Sequence, residues 1–149
     1  MQERLTIPPG GWVVVGDGRK ALVLSNHGDD LYPNLQVERV FTAPPNPATH
    51  MQGADKPPRA IFGGQRSAIE QTDWHELAEH RFAEEVAGAL EKAHRRSPLK
   101  ALIVVAPPRT LADLRRAFSD EIKHVIQAEI HKDLTKHPTY EIERHLTGG

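Results

Sequence analysis

Gly63, Gly64 and Gln65 form the segment of this chain whose residue types best suit chemistry. Two adjacent glycines allow positive φ angles and a close approach of the backbone to RNA, so that a backbone amide and a water molecule can be placed at an ester carbonyl. Such a reaction needs no titratable catalyst. The same residues also suit an ordinary flexible turn ahead of a helix, and both interpretations stay open here.

Three cations, Lys56, Arg59 and Arg66, lie around this tripeptide. In a functional loop they would contact phosphates and orient a nucleic acid without reading its sequence. As scattered loop residues they would simply be solvated. The sequence leans toward solvated residues and leaves phosphate contact as the alternative.

A second candidate group follows the predicted strands and consists of Asp17, Arg19, Arg109, Lys132 and Asp133. Cations beside glycine amides suit a phosphate or a carboxylate, so this group could bind an anionic ligand. Pairs of Arg or Lys with Asp at strand ends would equally form an internal ion-pair network that fixes the loops.

Metal chemistry is disfavoured by spacing and by composition. His75 and His80 lie five residues apart, about 140° around a helix, whereas two ligands on one helix face need a spacing of four. A metal-dependent nuclease needs converging carboxylates, and the apolar run Leu102–Ala106 offers none. The chain contains no Cys, which removes thiolate nucleophiles and Cys-type zinc sites. We therefore expect no metal site and no cofactor.

A basic cluster closes the long predicted helix and comprises Lys92, His94, Arg95, Arg96 and Lys100. Cations at this end complement the helix macrodipole, which is one explanation of the cluster. Contact with ribosomal RNA is the other. The net charge of −1 gives the whole chain no attraction to nucleic acid, so any such contact must come from a local patch.

With 149 residues the chain is predicted to form one domain, 1–149. No apolar run is long enough to span a membrane, and residues 1–10 lack a secretory pattern, which predicts a cytoplasmic protein without membrane contact. A Pro-rich stretch, 43–72, is predicted to be a long loop, and loops of this length are usually functional or disordered.

Hydrophobic patterning predicts five strands: Trp12–Val15, Ala21–Leu24, Gln36–Thr42, Leu102–Ala106 and Val125–Ile130. A long helix is predicted to begin at Asp73, where Glu76 completes a capping pair, and to end near Arg96. Its apolar stripe is Trp74, Ala78, Phe82, Val86, Leu90 and Ala93.

A second helix is predicted after Pro107 and Pro108, with Thr110 and Asp113 as its capping pair. A last helix begins around His137-Pro138-Thr139 and carries Tyr140, Ile142 and Leu146 toward the core. The order βββαβαβα predicts an α/β fold with a five-stranded mixed sheet of ribonuclease-H-like topology and helices on both faces.

Several segments together resemble the host attachment family, proteins required for attachment to host cells. They are Trp12–Val15 with Gly16-Asp17-Gly18, Gly63-Gly64, Arg81–Ala87, Val104–Arg109 and Lys132–Thr135. The resemblance extends over nearly the whole chain and implies the same α/β fold. The family description names a phenotype and implies little about mechanism.

This family in turn resembles the middle domain of archaeal and eukaryotic release factors and of Pelota, which holds Gly-Gly-Gln between its third strand and first long helix. That resemblance implies that Gly63 and Gly64 shape the loop and that Gln65 stands at the peptidyl-transferase centre. Ile61 and Phe62 depart from the basic and glycine residues expected there. The function predicted is hydrolysis of peptidyl-tRNA at the ribosome. The alternative is a non-enzymatic module that binds RNA, a nucleotide or a protein through the strand-end residues.

Overall fold

The computed structural model describes residues 5–44 and 64–148, and for residues 64–73 it describes the backbone. Within these ranges the chain forms five strands and four helices. The strands are β1 (Trp12–Gly16), β2 (Lys20–Asn26), β3 (Leu35–Thr42), β4 (Leu102–Val105) and β5 (Ile126–Ile130). The helices are α1 (Gly64–Arg96), α2 (Pro108–Ala117), α3 (Asp120–Val125) and α4 (Thr139–Thr147). All five predicted strands are confirmed.

The strands form one mixed sheet in the order β3-β2-β1-β4-β5. The first three strands are an antiparallel meander, and β4 lies parallel to both β1 and β5. The predicted five-stranded mixed α/β sheet is therefore confirmed, and its assignment to the ribonuclease-H-like class stays a prediction. Because β1, β4 and β5 are parallel, their carboxyl ends at Gly16, Val105 and Ile130 lie on one side of the sheet, here called the strand-end edge.

Alternate residues of the central strands enter two separate cores. Val14 and Val104 belong to the core beneath α1 and α2, while Val13 and Ile103 belong to the core on the opposite face. Ile142 of α4 is fully buried in this second core. Covering both faces explains why β1 and β4 are continuous apolar runs rather than alternating ones, and it confirms that helices lie on both faces.

Helix α1 begins nine residues earlier than predicted, at Gly64 instead of Asp73. Residues 64–72 of the predicted loop are thus helical, and Asp73 lies inside the helix rather than at its cap. With 33 residues α1 is long, yet no helix in the described ranges has the length and apolar character needed to cross a membrane.

Three finer predictions are wrong. Thr110 and Asp113 do not cap α2, because its cap is Pro107, which makes no side-chain hydrogen bond, and Asp113 is buried. Tyr140 points outward with 61% of its surface exposed. Trp74 is 38% exposed, since α1 reaches the core only from Phe82 onward.

The edge strand β3 contains a bulge at Glu38. Val37 pairs with Leu24 and Arg39 pairs with Val23, which leaves Glu38 as the extra residue. Its Oε2 accepts hydrogen bonds from Ser25 Oγ at 2.5 Å and from the His27 ring at 3.0 Å. These bonds lower the pKa of the Glu38 carboxyl. A charged bulge is a usual device for protecting an exposed sheet edge.

Asn26, at the end of β2, is buried and satisfies several backbone groups at once. Its amide nitrogen donates to Ile7 O at 2.9 Å, and its oxygen accepts from Gly28 N and Asn34 N at 2.9 and 2.8 Å. This side chain therefore fixes both the segment before β1 and the turn between β2 and β3.

Candidate functional site

The turn between β1 and β2 opens the strand-end edge and is held by Asp17. Its Oδ1 accepts hydrogen bonds from the backbone amides of Arg19 and Lys20, each at 2.7 Å. An Asp that bonds backbone amides two and three residues ahead stabilises a tight turn. The predicted Asp17 is therefore a positioning group in the turn, with only its second oxygen turned toward other elements.

That second oxygen meets the loop between β5 and α4 through Thr135. Thr135 Oγ1 lies 3.2 Å from Asp17 Oδ2 and 2.8 Å from Asp133 Oδ1. The hydroxyl carries one proton and can donate to one carboxylate at a time. Thr135 itself is buried. The structure thus brings two predicted residues, Asp17 and Asp133, together through a third that the sequence reasoning did not select.

Arg109 does not join this group. At the start of α2 it forms ion pairs with α1, placing Nη2 3.0 Å from Glu76 Oε2 and Nε 3.9 Å from Glu79 Oε1. The Glu79 carboxylate also lies against the β1–β2 turn, since a Cβ added to Gly18 would sit 2.8 Å from its Oε2. Arg109 therefore pairs with glutamates of α1 and not with the strand-end aspartates, as an internal network of this group would require.

A buried carboxylate lies one layer deeper, where α1 packs on α2. Asp113 is 7% exposed and its Oδ1 lies 2.9 Å from His80 Nδ1, with Arg116 Nη1 at 3.9 Å. This contact places a ring nitrogen of His80 beside a carboxylate that is largely removed from water. Neither residue was proposed as a site. The sequence offered no signal for the pair, since its members are far apart along the chain.

The cavity between the β1–β2 turn, α1 and α2 is too small for a substrate. It has a volume of about 10 Å³, the space of a single water molecule. Gly16, Gly18, Phe82 and Thr110 are among its lining residues. In the described ranges no three His, Asp or Glu side chains are arranged to hold a metal ion.

Helix α1 begins well ahead of its contact with α2. Glu76 pairs with Arg109 at the start of α2, and Gly64 precedes Glu76 by twelve residues. At the 1.5 Å rise of an α-helix, this first segment of α1 is roughly 18 Å long. Leu77 is 41% exposed, and α1 enters the core from Phe82 onward.

The remaining predicted residues are distributed as follows. Gly64, Gln65 and Arg66 are the first three residues of α1. Gly63, Lys56 and Arg59 lie outside the described residues. Arg19 is exposed and Lys132 half-buried. Toward the described residues neither side chain makes a hydrogen bond or ion pair.

Solved structures similar to this chain include an archaeal termination factor and a pilus biogenesis complex. An archaeal translation termination factor is 10% identical with a TM-score of 0.45, covering 89% of this chain and 36% of the factor. The PilM–PilN type IV pilus biogenesis complex is 14% identical with a TM-score of 0.40, covering 93% of this chain and 43% of that one. The chain thus spans less than half the length of either. No curated protein matches it in sequence.

One family model matches residues 12–146, from the first residue of β1 to the last turn of α4. It describes a protein required for attachment to host cells. The match includes every strand of the sheet and each residue of the strand-end edge described above. The chain therefore belongs to the host attachment family, as the sequence motifs predict.

Proposed function

We propose that this chain acts at the ribosome as a release-factor-like protein that hydrolyses the ester of peptidyl-tRNA through Gly63, Gly64 and Gln65. The observation that supports the proposal is the position of Gly64 and Gln65 in the first turn of α1. The segment of α1 ahead of its ion pair with Arg109 is a single helix roughly 18 Å long and about 10 Å wide, dimensions that suit a confined RNA-lined site.

The first turn of α1 suits the chemistry. The first four amides of a helix have no partner within it, and this end carries a partial positive charge. The first turn contains no acidic residue that would compete for these amides. They can therefore stabilise the negative charge that develops on an ester carbonyl oxygen.

The reaction follows from these groups. The Gln65 side-chain amide orients a water molecule, whose oxygen forms a bond to the ester carbonyl carbon. The bond from that carbon to the ribose oxygen breaks, and the proton of the water passes to the ribose oxygen. Gln65 is not titratable, so it positions the water and does not take its proton.

The test measures labelled peptide released from ribosomes that carry peptidyl-tRNA in the P site. Gln65→Ala is expected to abolish release, while Gln71→Ala, on the same helix, is expected to retain it. Gly64→Ala is the sharper variant, because Ala favours a helix over Gly by about 1 kcal/mol. Loss of release in Gly64→Ala cannot then come from unfolding of α1. Equal release by all four proteins, or none from the wild type, overturns the proposal.

Binding of an anionic ligand at the strand-end edge is a second candidate function. It is favoured by Arg19 and Lys132, whose side chains make no hydrogen bond or ion pair toward the described residues although they flank Asp17 and Asp133. Arg109 is less available, because it pairs with Glu76. This candidate predicts that Arg19→Gln with Lys132→Gln abolishes ligand binding and that Gln65→Ala leaves it unchanged.

A further inference from the structure

The end of α1 opposite the tripeptide carries a concentrated positive charge. Lys92, Arg95, Arg96 and Lys100 are all exposed, and together they are called here the basic end. Between residues 91 and 100 the only acidic residue is Glu91. It lies 3.8 Å from Arg95, whose side chain remains 69% exposed. The basic end is therefore a local positive patch on a chain whose net charge is −1.

Stabilisation of the helix does not account for this much charge. The carboxyl end of a helix carries a partial charge of roughly −0.5, which one cation more than offsets. Glu91 offsets one further cation. Four cations therefore leave a surplus of about two positive charges that no group of this segment neutralises.

The basic end is also held in a fixed position. Beyond α1 the chain turns through Ser97, whose amide donates to Ala93 O at 3.0 Å, and the amide of Leu99 donates to His94 Nδ1 at 3.1 Å. Leu99 is 6% exposed and belongs to the core. This anchoring keeps the backbone of Lys100 beside the end of the helix, so the backbone that carries these charges needs no ordering when a partner binds.

The side chains near the basic end indicate whether an anionic membrane or a nucleic acid suits it better. A protein segment that binds an anionic membrane surface combines its cations with apolar side chains that enter the lipid. The large exposed apolar side chains of the described residues, such as Tyr32, Val40 and Trp74, all lie outside residues 92–100. A surface that is purely cationic and is carried on a fixed backbone suits the phosphates of a nucleic acid.

We propose that the basic end binds the phosphate backbone of double-helical RNA and anchors the protein there. The proposal rests on the proposed function for identifying that RNA as ribosomal. Lys92 and Arg96 follow Gln65 by 27 and 31 residues, so the anchor lies roughly 40 to 47 Å from the tripeptide along a single helix. Helix α1 thereby sets the distance between the bound RNA and the reacting ester.

The test measures the dissociation constant of the full chain for a labelled RNA duplex of about 20 base pairs over a range of salt concentrations. Arg95→Gln, Arg96→Gln and Lys100→Gln are combined in one variant. The matched control combines Lys20→Gln, Arg81→Gln and Lys136→Gln, which removes the same charge from exposed positions elsewhere. We expect the basic-end variant to reduce the salt dependence of log K by roughly 2 to 3, and the control to change it little.

Four outcomes separate this proposal from its alternatives and from the proposed function. Equal loss in both variants would mean diffuse electrostatic binding and overturn it. Loss of binding to phosphatidylserine vesicles with unchanged RNA binding would assign the basic end to a membrane instead. RNA binding that requires the basic end, in a protein that releases no peptide, would contradict the hydrolase and leave this inference standing. Peptide release that requires Gln65, with RNA binding equal in both variants, would support the hydrolase and overturn this inference.

Discussion

The Nη2 atom of Arg109 lies 3.0 Å from Oε2 of Glu76, which ties the start of α2 to α1. The contact gives this predicted binding cation a partner within the protein, while the Arg109 side chain keeps 67% of its surface exposed. Its role in ligand binding stays a prediction.

Arg109→Ala is expected to lower the free energy of unfolding by less than about 1 kcal/mol, because both partners are largely exposed and surface ion pairs contribute little. Urea denaturation followed by circular dichroism measures the change. A double-mutant cycle with Glu76→Gln isolates the pair and should give a coupling below about 1 kcal/mol. A much larger coupling would show that the contact is a major element of stability.

Thr135→Val is expected to cost about 1 to 3 kcal/mol in the free energy of unfolding. The substitution keeps the shape of a buried side chain but removes the hydroxyl that lies between Asp17 and Asp133. Thr42→Val, at an exposed position of β3, serves as the control and should change stability little. A Thr135→Val protein as stable as the control would contradict a structural role for this hydroxyl.

His80→Ala is expected to destabilise the protein by about 1 to 3 kcal/mol, because it removes the ring nitrogen that lies 2.9 Å from the buried Asp113 carboxylate. Adding Asp113→Leu to this variant should recover stability, since it removes a buried charge that would keep only the distant contact with Arg116. His131→Ala, at an exposed position, is the control. If the double variant is no more stable than His80→Ala, the cost arises from lost packing instead.

Acid is expected to weaken the fold through Glu38 and Glu129. Hydrogen bonds from Ser25 and His27 lower the pKa of Glu38, and hydrogen bonds from Arg115 lower that of Glu129. As the pH falls the unfolded state takes up protons first, so the contribution is present above the ordinary pKa of 4.5 and is lost as the pH falls through the lowered folded values.

Urea midpoints measured from neutral pH down to about pH 3 test this dependence. The variant with Glu38→Gln and Glu129→Gln should show a shallower decline on the acid side than the wild type. Parallel curves for the two proteins would assign acid sensitivity to other carboxylates.

Local patterning predicted the sheet well, because each strand is decided by neighbouring residues. Val13, Val14 and Val15 with Gly16 and its turn already indicate a buried strand and its end. The start of α1 was predicted too late, since Asp73 offered a plausible cap while Gly64 carries no helix-start signal. The helix extends past Asp73 to Gly64 although the residues in between do not indicate a helix start.

The strand-end contacts depended on groups that are remote in the sequence. Asp17 and Thr135 are 118 residues apart and meet only because β1 and β5 are parallel in one sheet. The sequence located Asp17 and Asp133 at the correct edge but could not show that Thr135 connects them. Likewise, Arg109 could be placed at the end of β4, but its partners on α1 could not be inferred.

The Glu79 carboxylate occupies the space beside Gly18, where an added Cβ would lie 2.8 Å from its Oε2. Because this carboxylate is the end of a flexible side chain, a side chain introduced at position 18 would displace it and leave the backbone of α1 in place. The same carboxylate lies 3.9 Å from Arg109 Nε, so the substitution would also change the charge around the start of α2. A loss of function caused by a change at position 18 therefore does not by itself locate a ligand in the β1–β2 turn.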